Sequence, residues 1–173
     1  YPAATLEDGV ISVVTAQKAD LRGILVDPLQ YVKKYADGSL HFNQTMVIEN
    51  IGTKTVTEDF KIQGEFGSSR ADLTLRDDIA AGENITYHMT VHVVPGHGNT
   101  STKSSSEGGY ERWYDITTGG NVSLGDYEIG LGIDVENAVD EIDEENNYVQ
   151  TRAEITRPDL VPVWEREGLV SGI

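Results

Sequence analysis

Apolar and polar positions alternate with a period of two along most of the chain. In Ile85-Thr86-Tyr87-His88-Met89-Thr90-Val91-His92-Val93 the odd positions are apolar and the even ones polar. In Tyr127-Glu128-Ile129-Gly130-Leu131-Gly132-Ile133-Asp134 one face reads Tyr, Ile, Leu, Ile. A period of two puts one face on a core and the other toward solvent. β-branched and aromatic runs are separated by Gly, Asp-Gly and Asn-containing punctuation, which predicts strands near 10–15, 20–26, 40–49, 55–66, 72–75, 84–94, 110–116, 127–135 and 148–156. No segment of helical length carries a 3.6-residue period. The pattern predicts an all-β, two-sheet β-sandwich, immunoglobulin-like or jelly-roll-like, with extended terminal strands. One stretch breaks the alternation. Pro95 to Gly109 is rich in Gly, Ser and Thr, and reads as a long flexible loop at one end of the sandwich.

The ends differ from the middle. Val10-Ile11-Ser12-Val13-Val14 is nearly continuously apolar, as a strand buried on both faces would be. Pro158-Asp159-Leu160-Val161-Pro162-Val163-Trp164 repeats the flavour of Ala19-Asp20-Leu21-Arg22-Gly23-Ile24-Leu25. The chain therefore divides into an N-terminal arm (1–18), a sandwich (19–156) and a C-terminal arm (157–173). An apolar strand left in solvent is an aggregation hazard, and a sheet with a vacant edge is the matching defect. Inserting one subunit's strand into the next satisfies both, and a head-to-tail contact propagates into a filament or tube. The expected donor is the segment 6–16, with Val10, Ile11, Val13 and Val14 as assembly contacts. Leu160, Val161 and Trp164 would serve a second arm.

Composition narrows the class. The 173 residues carry 13 Lys+Arg against 29 Asp+Glu, a net charge of −16, and no Cys. That charge repels nucleic acid and anionic lipid, so neither is an expected partner. Disulfides, thiolate metal sites and Cys nucleophiles are excluded together. No apolar run reaches the roughly 18 residues that span a bilayer. The start at Tyr1 reads as a mature end left after processing. Four N-x-S/T sequons, at Asn43, Asn84, Asn99 and Asn121, point to a secreted or cell-surface glycoprotein carrying N-linked glycans.

The acid is concentrated. Between Asp134 and Asn147 lie seven carboxylates, and no Lys or Arg occurs between Arg112 and Arg152. Their mutual repulsion must be relieved by solvation, protonation or a cation, and hard oxygen ligands suit Ca²⁺. The candidate ligands are Asp134, Glu136, Asn137, Asp140, Asp143, Glu144 and Glu145. Asp77, Asp78 and Asp126 are further acidic positions able to share an ion. An EF-hand is rejected: with Asp134 first and Glu145 twelfth, Ala138 and Val139 fall where an oxygen ligand and Gly are needed.

Catalytic patterns are weak, and no enzymatic activity is expected. His88 and His92 lie on one strand face but about 13 Å apart at roughly 3.3 Å per residue, too far for one metal. No G-x-S-x-G elbow supports a triad for His97, and no helix follows the glycine pairs. Trp113 and Trp164 are able to stack on sugars, so an adhesive or carbohydrate-binding module of a larger surface protein is the alternative.

Ala19-Asp20-Leu21, Val47-Ile48-Glu49-Asn50-Ile51-Gly52, Gly125-Asp126-Tyr127-Glu128-Ile129 leading to Ile133-Asp134, and Asp143-Glu144-Glu145-Asn146-Asn147 together resemble the CARDB family. That resemblance covers roughly 20–156 and implies an immunoglobulin-like sandwich of prokaryotic surface and secreted proteins, a fold of adhesion and assembly. By its profile (acidic, Cys-free, rich in sequons) the chain is also similar to the cannula subunits of hyperthermophilic archaea, extracellular tubules that polymerise with Ca²⁺.

Overall fold

A computed structural model describes residues 3–7, 9–67, 69–108 and 110–157. The twelve strands are β1 (Ala3–Glu7), β2 (Val10–Val14), β3 (Leu21–Val26), β4 (Tyr31–Lys33), β5 (Leu40–Asn50), β6 (Phe60–Phe66), β7 (Ser69–Leu75), β8 (Asn84–Val94), β9 (Ser101–Gly108), β10 (Glu111–Gly119), β11 (Gly125–Ile133) and β12 (Tyr148–Thr156). Two five-stranded sheets, ordered β3-β5-β8-β10-β9 and β4-β12-β11-β6-β7, face each other. Pairing is antiparallel except for β8 with β10 and β4 with β12. Among the described residues no helix is long and apolar enough to cross a membrane.

The alternation explains the layers. Ile85, Tyr87, Met89 and Val93 of β8 point inward and are buried, as are Met46 and Ile48 of β5 and Leu131 and Ile133 of β11. All of these but Val93, with Leu21, Phe60 and Ile62, belong to the larger core cluster, while Val93, Val32, Leu40, Phe66, Ile129 and Ile155 fill the other end. Each such side chain contributes about 1.5–3 kcal/mol relative to leaving it in water.

The Asn-x-Gly step after β5 has a mechanical reason. Asn50 is fully buried. Its Oδ1 accepts from the amides of Asp20 (3.2 Å) and Gly52 (3.1 Å), and its Nδ2 donates to the carbonyls of Lys54 (2.7 Å) and Ile79 (3.0 Å). A Cβ on Gly52 would lie 2.5 Å from backbone atoms of Lys18 and Ala19. Asn50 and Gly52 thus bind the start of β3 to the loop that follows β5.

Several expectations need correcting. The segment read as a loop from 95 to 109 contains β9, an edge strand antiparallel to β10. Residues 101–104 are exposed, so the backbone ladder and not apolar burial holds that part of it. The single strand expected over 55–66 begins only at Phe60; Val56 instead makes an isolated bridge to Ile79. Strands β1 and β4 were not expected. The apolar run Val10–Val14 is not unpaired: β2 zips onto β1, from Ala3 opposite Val14 to Glu7 opposite Val10. Among the described residues this hairpin joins neither large sheet. Val13 and Val14 are 64% and 57% exposed. Leu160, Val161 and Trp164 lie outside the described residues.

Candidate metal centre

Strand β11 ends at Ile133, and the chain turns at once. Asp134 (φ 47) and Asn137 (φ 52) both adopt the left-handed region, which Asp and Asn tolerate better than most residues. The Asp134 carboxylate is 1% exposed and organises the turn, accepting from the amides of Ala138 (2.9 Å) and Val139 (2.8 Å). Val139, 2% exposed, anchors the loop in the core. Two residues on, the same inward side holds Glu141, 3% exposed. Its Oε2 accepts from the Leu21 amide at 2.5 Å and its Oε1 from Asn147 Nδ2 at 2.8 Å. Glu144 Oε1 in turn accepts from the Glu141 amide at 3.2 Å.

These bonds gather three carboxylates, Asp134, Glu141 and Glu144, with oxygens within 4.8 Å of one another. Burial pushes Glu141 up to about 7. The bonds from Leu21 and Asn147 oppose that rise, and the charges of Glu144 and Asp134 add to it. The Oδ1 of Asn147, a residue 9% exposed, is buried with no hydrogen-bond partner. Asn147, Asp134, Asn137, Glu144 and Glu145 line one open cleft of about 370 Å³. Three carboxylates and an amide oxygen beside a water-accessible cleft are the donor set of a hard divalent cation. The residues are compatible with binding a metal ion.

Of the residues expected at the site, Asp134 and Glu144 belong to this cluster, and Asn137 and Glu145 line its cleft. Glu136 pairs instead with Lys61 (2.5 Å) and Asp140 with Lys18 (2.7 Å). Asp143 caps the Glu145 amide at 2.9 Å. Asp77 is bound by Arg112 (2.9 Å) and by the Tyr87 hydroxyl (3.2 Å), away from the acidic loop. Asp78 is exposed, and Asp126 stands at the start of β11 opposite Glu154. Glu141 was not singled out from sequence. The signal was present: Val139 and Glu141 are two apart, so a core valine predicts an inward glutamate.

The loop also grips the root of the N-terminal arm. Ala19 bridges Glu141, the Ile142 amide donates to the Ala19 carbonyl at 2.9 Å, and Asn146 Nδ2 donates to Asp20 Oδ1 at 2.7 Å. Elsewhere, all four sequon asparagines, Asn43, Asn84, Asn99 and Asn121, are exposed. The Trp113 ring stacks on His88 with centroids 4.9 Å apart.

No family model matches the sequence, and no curated protein matches it. Solved structures do. The crystal structure of the CARDB domain of the PF1109 protein from Pyrococcus furiosus, described as a complex with di-metal ions, matches with a TM-score of 0.53 at 16% identity. The match covers 84% of this chain and 100% of that one. The fold resembles that of a CARDB domain. The solution structure of the same CARDB domain agrees, with a TM-score of 0.52 at 15% identity over 83% of this chain and 100% of that one. The CARDB-like sandwich thus rests on shape as well as on the short motifs. The Asn-x-Gly step and the acidic Asn-Asn block both fall where the structure ties β3 to its neighbours.

Proposed function

We propose that the chain is a secreted, cell-surface structural glycoprotein that assembles head to tail with copies of itself into an extracellular filament or tubule. In this reading Ca²⁺ bound by Asp134, Glu141 and Glu144 stiffens the joint from which the N-terminal arm leaves the sandwich. One observation carries the proposal: the carboxylate cluster sits on the loop whose backbone and side chains hold residues 19–21. A cation there fixes the direction of the arm as well as the fold of the loop. The arm supports assembly because β1 and β2 form a separate hairpin with Val13 and Val14 exposed. Among the described residues, strands β3, β9, β4 and β7 stand at the sheet edges, where a strand can be added. The ion also offsets part of the −16 charge that drives copies apart. The four exposed sequons would carry glycans on the assembled surface.

Electron microscopy of the purified protein, with millimolar Ca²⁺ and with a chelator, tests this directly. The expected result is polymer with Ca²⁺, and folded monomer when residues 1–15 are deleted. Monomers under every condition would refute the assembly and leave an adhesive module. Polymers formed without residues 1–15 would refute the role of the arm.

A further inference from the structure

Three of the four histidines share the outer face of the first sheet, on the side opposite its core. Strand alternation sends Leu40, Gln44 and Met46 inward, so His41 faces out; on β8 it sends Met89 and Val93 inward, so His92 faces out. The two are directly opposite in the antiparallel register of β5 and β8. Their ring centroids are 4.3 Å apart, tilted by 44°. From the next strand, Asp115 Oδ1 lies 3.0 Å from His92 Nε2. The Asp115 carboxylate thus faces the Nε2 side of the His92 ring, which leaves Nδ1 as the nitrogen to offer a ligand.

We propose that His41 and His92 form a second metal site, independent of the acidic loop, for a borderline divalent ion with tetragonal preference, Cu²⁺ above all. Asp115 is its positioning residue. Imidazole nitrogen suits Cu²⁺, Ni²⁺ and Zn²⁺, and Cu²⁺ binds most tightly of these. With a metal–nitrogen bond of about 2.0 Å and a ring centroid about 1.2 Å beyond the nitrogen, two imidazoles on one ion have centroids about 4.5–5.2 Å apart, and the observed 4.3 Å is a small ring movement from that range. His41 is exposed and the His92 side chain is 32% exposed, so both rings can turn without disturbing the core. The strands that carry them are held in the middle of the sheet, β5 between β3 and β8, and β8 between β5 and β10. His88 does not join them. Its Nδ1 is 3.1 Å from Thr45 Oγ1, and its ring lies against Trp113.

The test uses the full chain loaded with Ca²⁺, so that hard-ligand positions are occupied, and titrated with Cu²⁺ in a non-coordinating buffer. Calorimetry should give one tight equivalent, and electron paramagnetic resonance an axial signal with splitting from two nitrogens. His41→Ala and His41→Gln should each weaken that equivalent at least tenfold and remove one nitrogen from the splitting. Asp115→Asn should weaken it by about tenfold, the usual effect of losing the partner that orients a metal-bound histidine. His97→Ala, outside this sheet face, should leave it unchanged. Unaltered Cu²⁺ binding in both His41 variants, or loss of the equivalent in His97→Ala, overturns the site. An unaltered affinity in Asp115→Asn overturns the role given to Asp115.

Discussion

Glu141→Gln separates two opposing effects of one buried carboxyl. The side chain is 3% exposed, and its pKa is pushed from 4.5 to about 7, first by burial. Between those values the metal-free folded protein holds a proton that the unfolded chain has released. Stability from this group is complete below pH 4.5 and is lost as pH rises through 7. A shift of about 2.5 units corresponds to about 3 kcal/mol. Gln cannot ionise, so the variant lacks this loss. It accepts from only one of the two donors, Leu21 N and Asn147 Nδ2, which costs about 1 kcal/mol. The neutral acid meets the same mismatch, so the two proteins should agree within about 1 kcal/mol at pH 4.5. At pH 8.5 the variant should be the more stable by up to about 3 kcal/mol. Urea unfolding in chelator and moderate salt, followed by circular dichroism across this pH range, measures the difference. Saturating Ca²⁺ should invert the order at pH 8.5, because the ion needs the ionised carboxylate. Parallel stability curves for the two proteins in chelator would refute the buried-charge argument. Equal stabilisation of both by Ca²⁺ would remove Glu141 from the site.

Other expectations are as direct. Free Ca²⁺ at a hundred times its dissociation constant should add about 2.7 kcal/mol. For a chain of this size that is about 5–11 °C in Tm by differential scanning calorimetry, lost on adding a chelator. Asn50→Ala removes four side-chain hydrogen bonds, two of them buried, and should cost about 3–5 kcal/mol in urea unfolding; a loss under 1 kcal/mol would contradict the clamp assigned to it. Gly52→Ala should also destabilise, since its Cβ meets backbone that no rotamer change can clear. Expressed in a glycosylating host, the protein should shift in mass by whole glycans, and each Asn→Gln change at 43, 84, 99 or 121 should remove one.

The legible parts of the fold are those where burial is one-sided. Strands β8 and β12 run over the residues the alternation marked, because each buries alternate side chains along much of its length. Strand β9 was hidden because an edge strand is held by its ladder to β10 and needs no apolar face. Strand β4 was hidden by its length of three residues, too short for a period to register. The β1–β2 hairpin was half visible: the apolar run announced β2, but nothing in Ala3-Ala4-Thr5-Leu6-Glu7 announced its partner. At the site, the density of acid located the loop but ranked its members poorly. Exposed carboxylates and buried ones look alike in composition. Only their phase relative to Val139 separates Glu141 from Asp140.

That phase decides which charges the chain neutralises by itself. Lys18 and Lys61 bind Asp140 and Glu136, whose side chains are 72% and 60% exposed and would be solvated in any case. Such pairs contribute little, about 0–1 kcal/mol each. Among the described residues, Asp134 and Glu141, the two buried members, receive only uncharged donors, the amides of residues 138, 139 and 21 and the side chain of Asn147. A buried carboxylate is costly unless it is paired, protonated or bound to a metal. Protonation relieves Glu141 only below about pH 7. Above it, the cheapest remaining relief is a cation from solution. The arrangement of lysines therefore argues for an ion at the inner carboxylates more strongly than the net charge of −16 does.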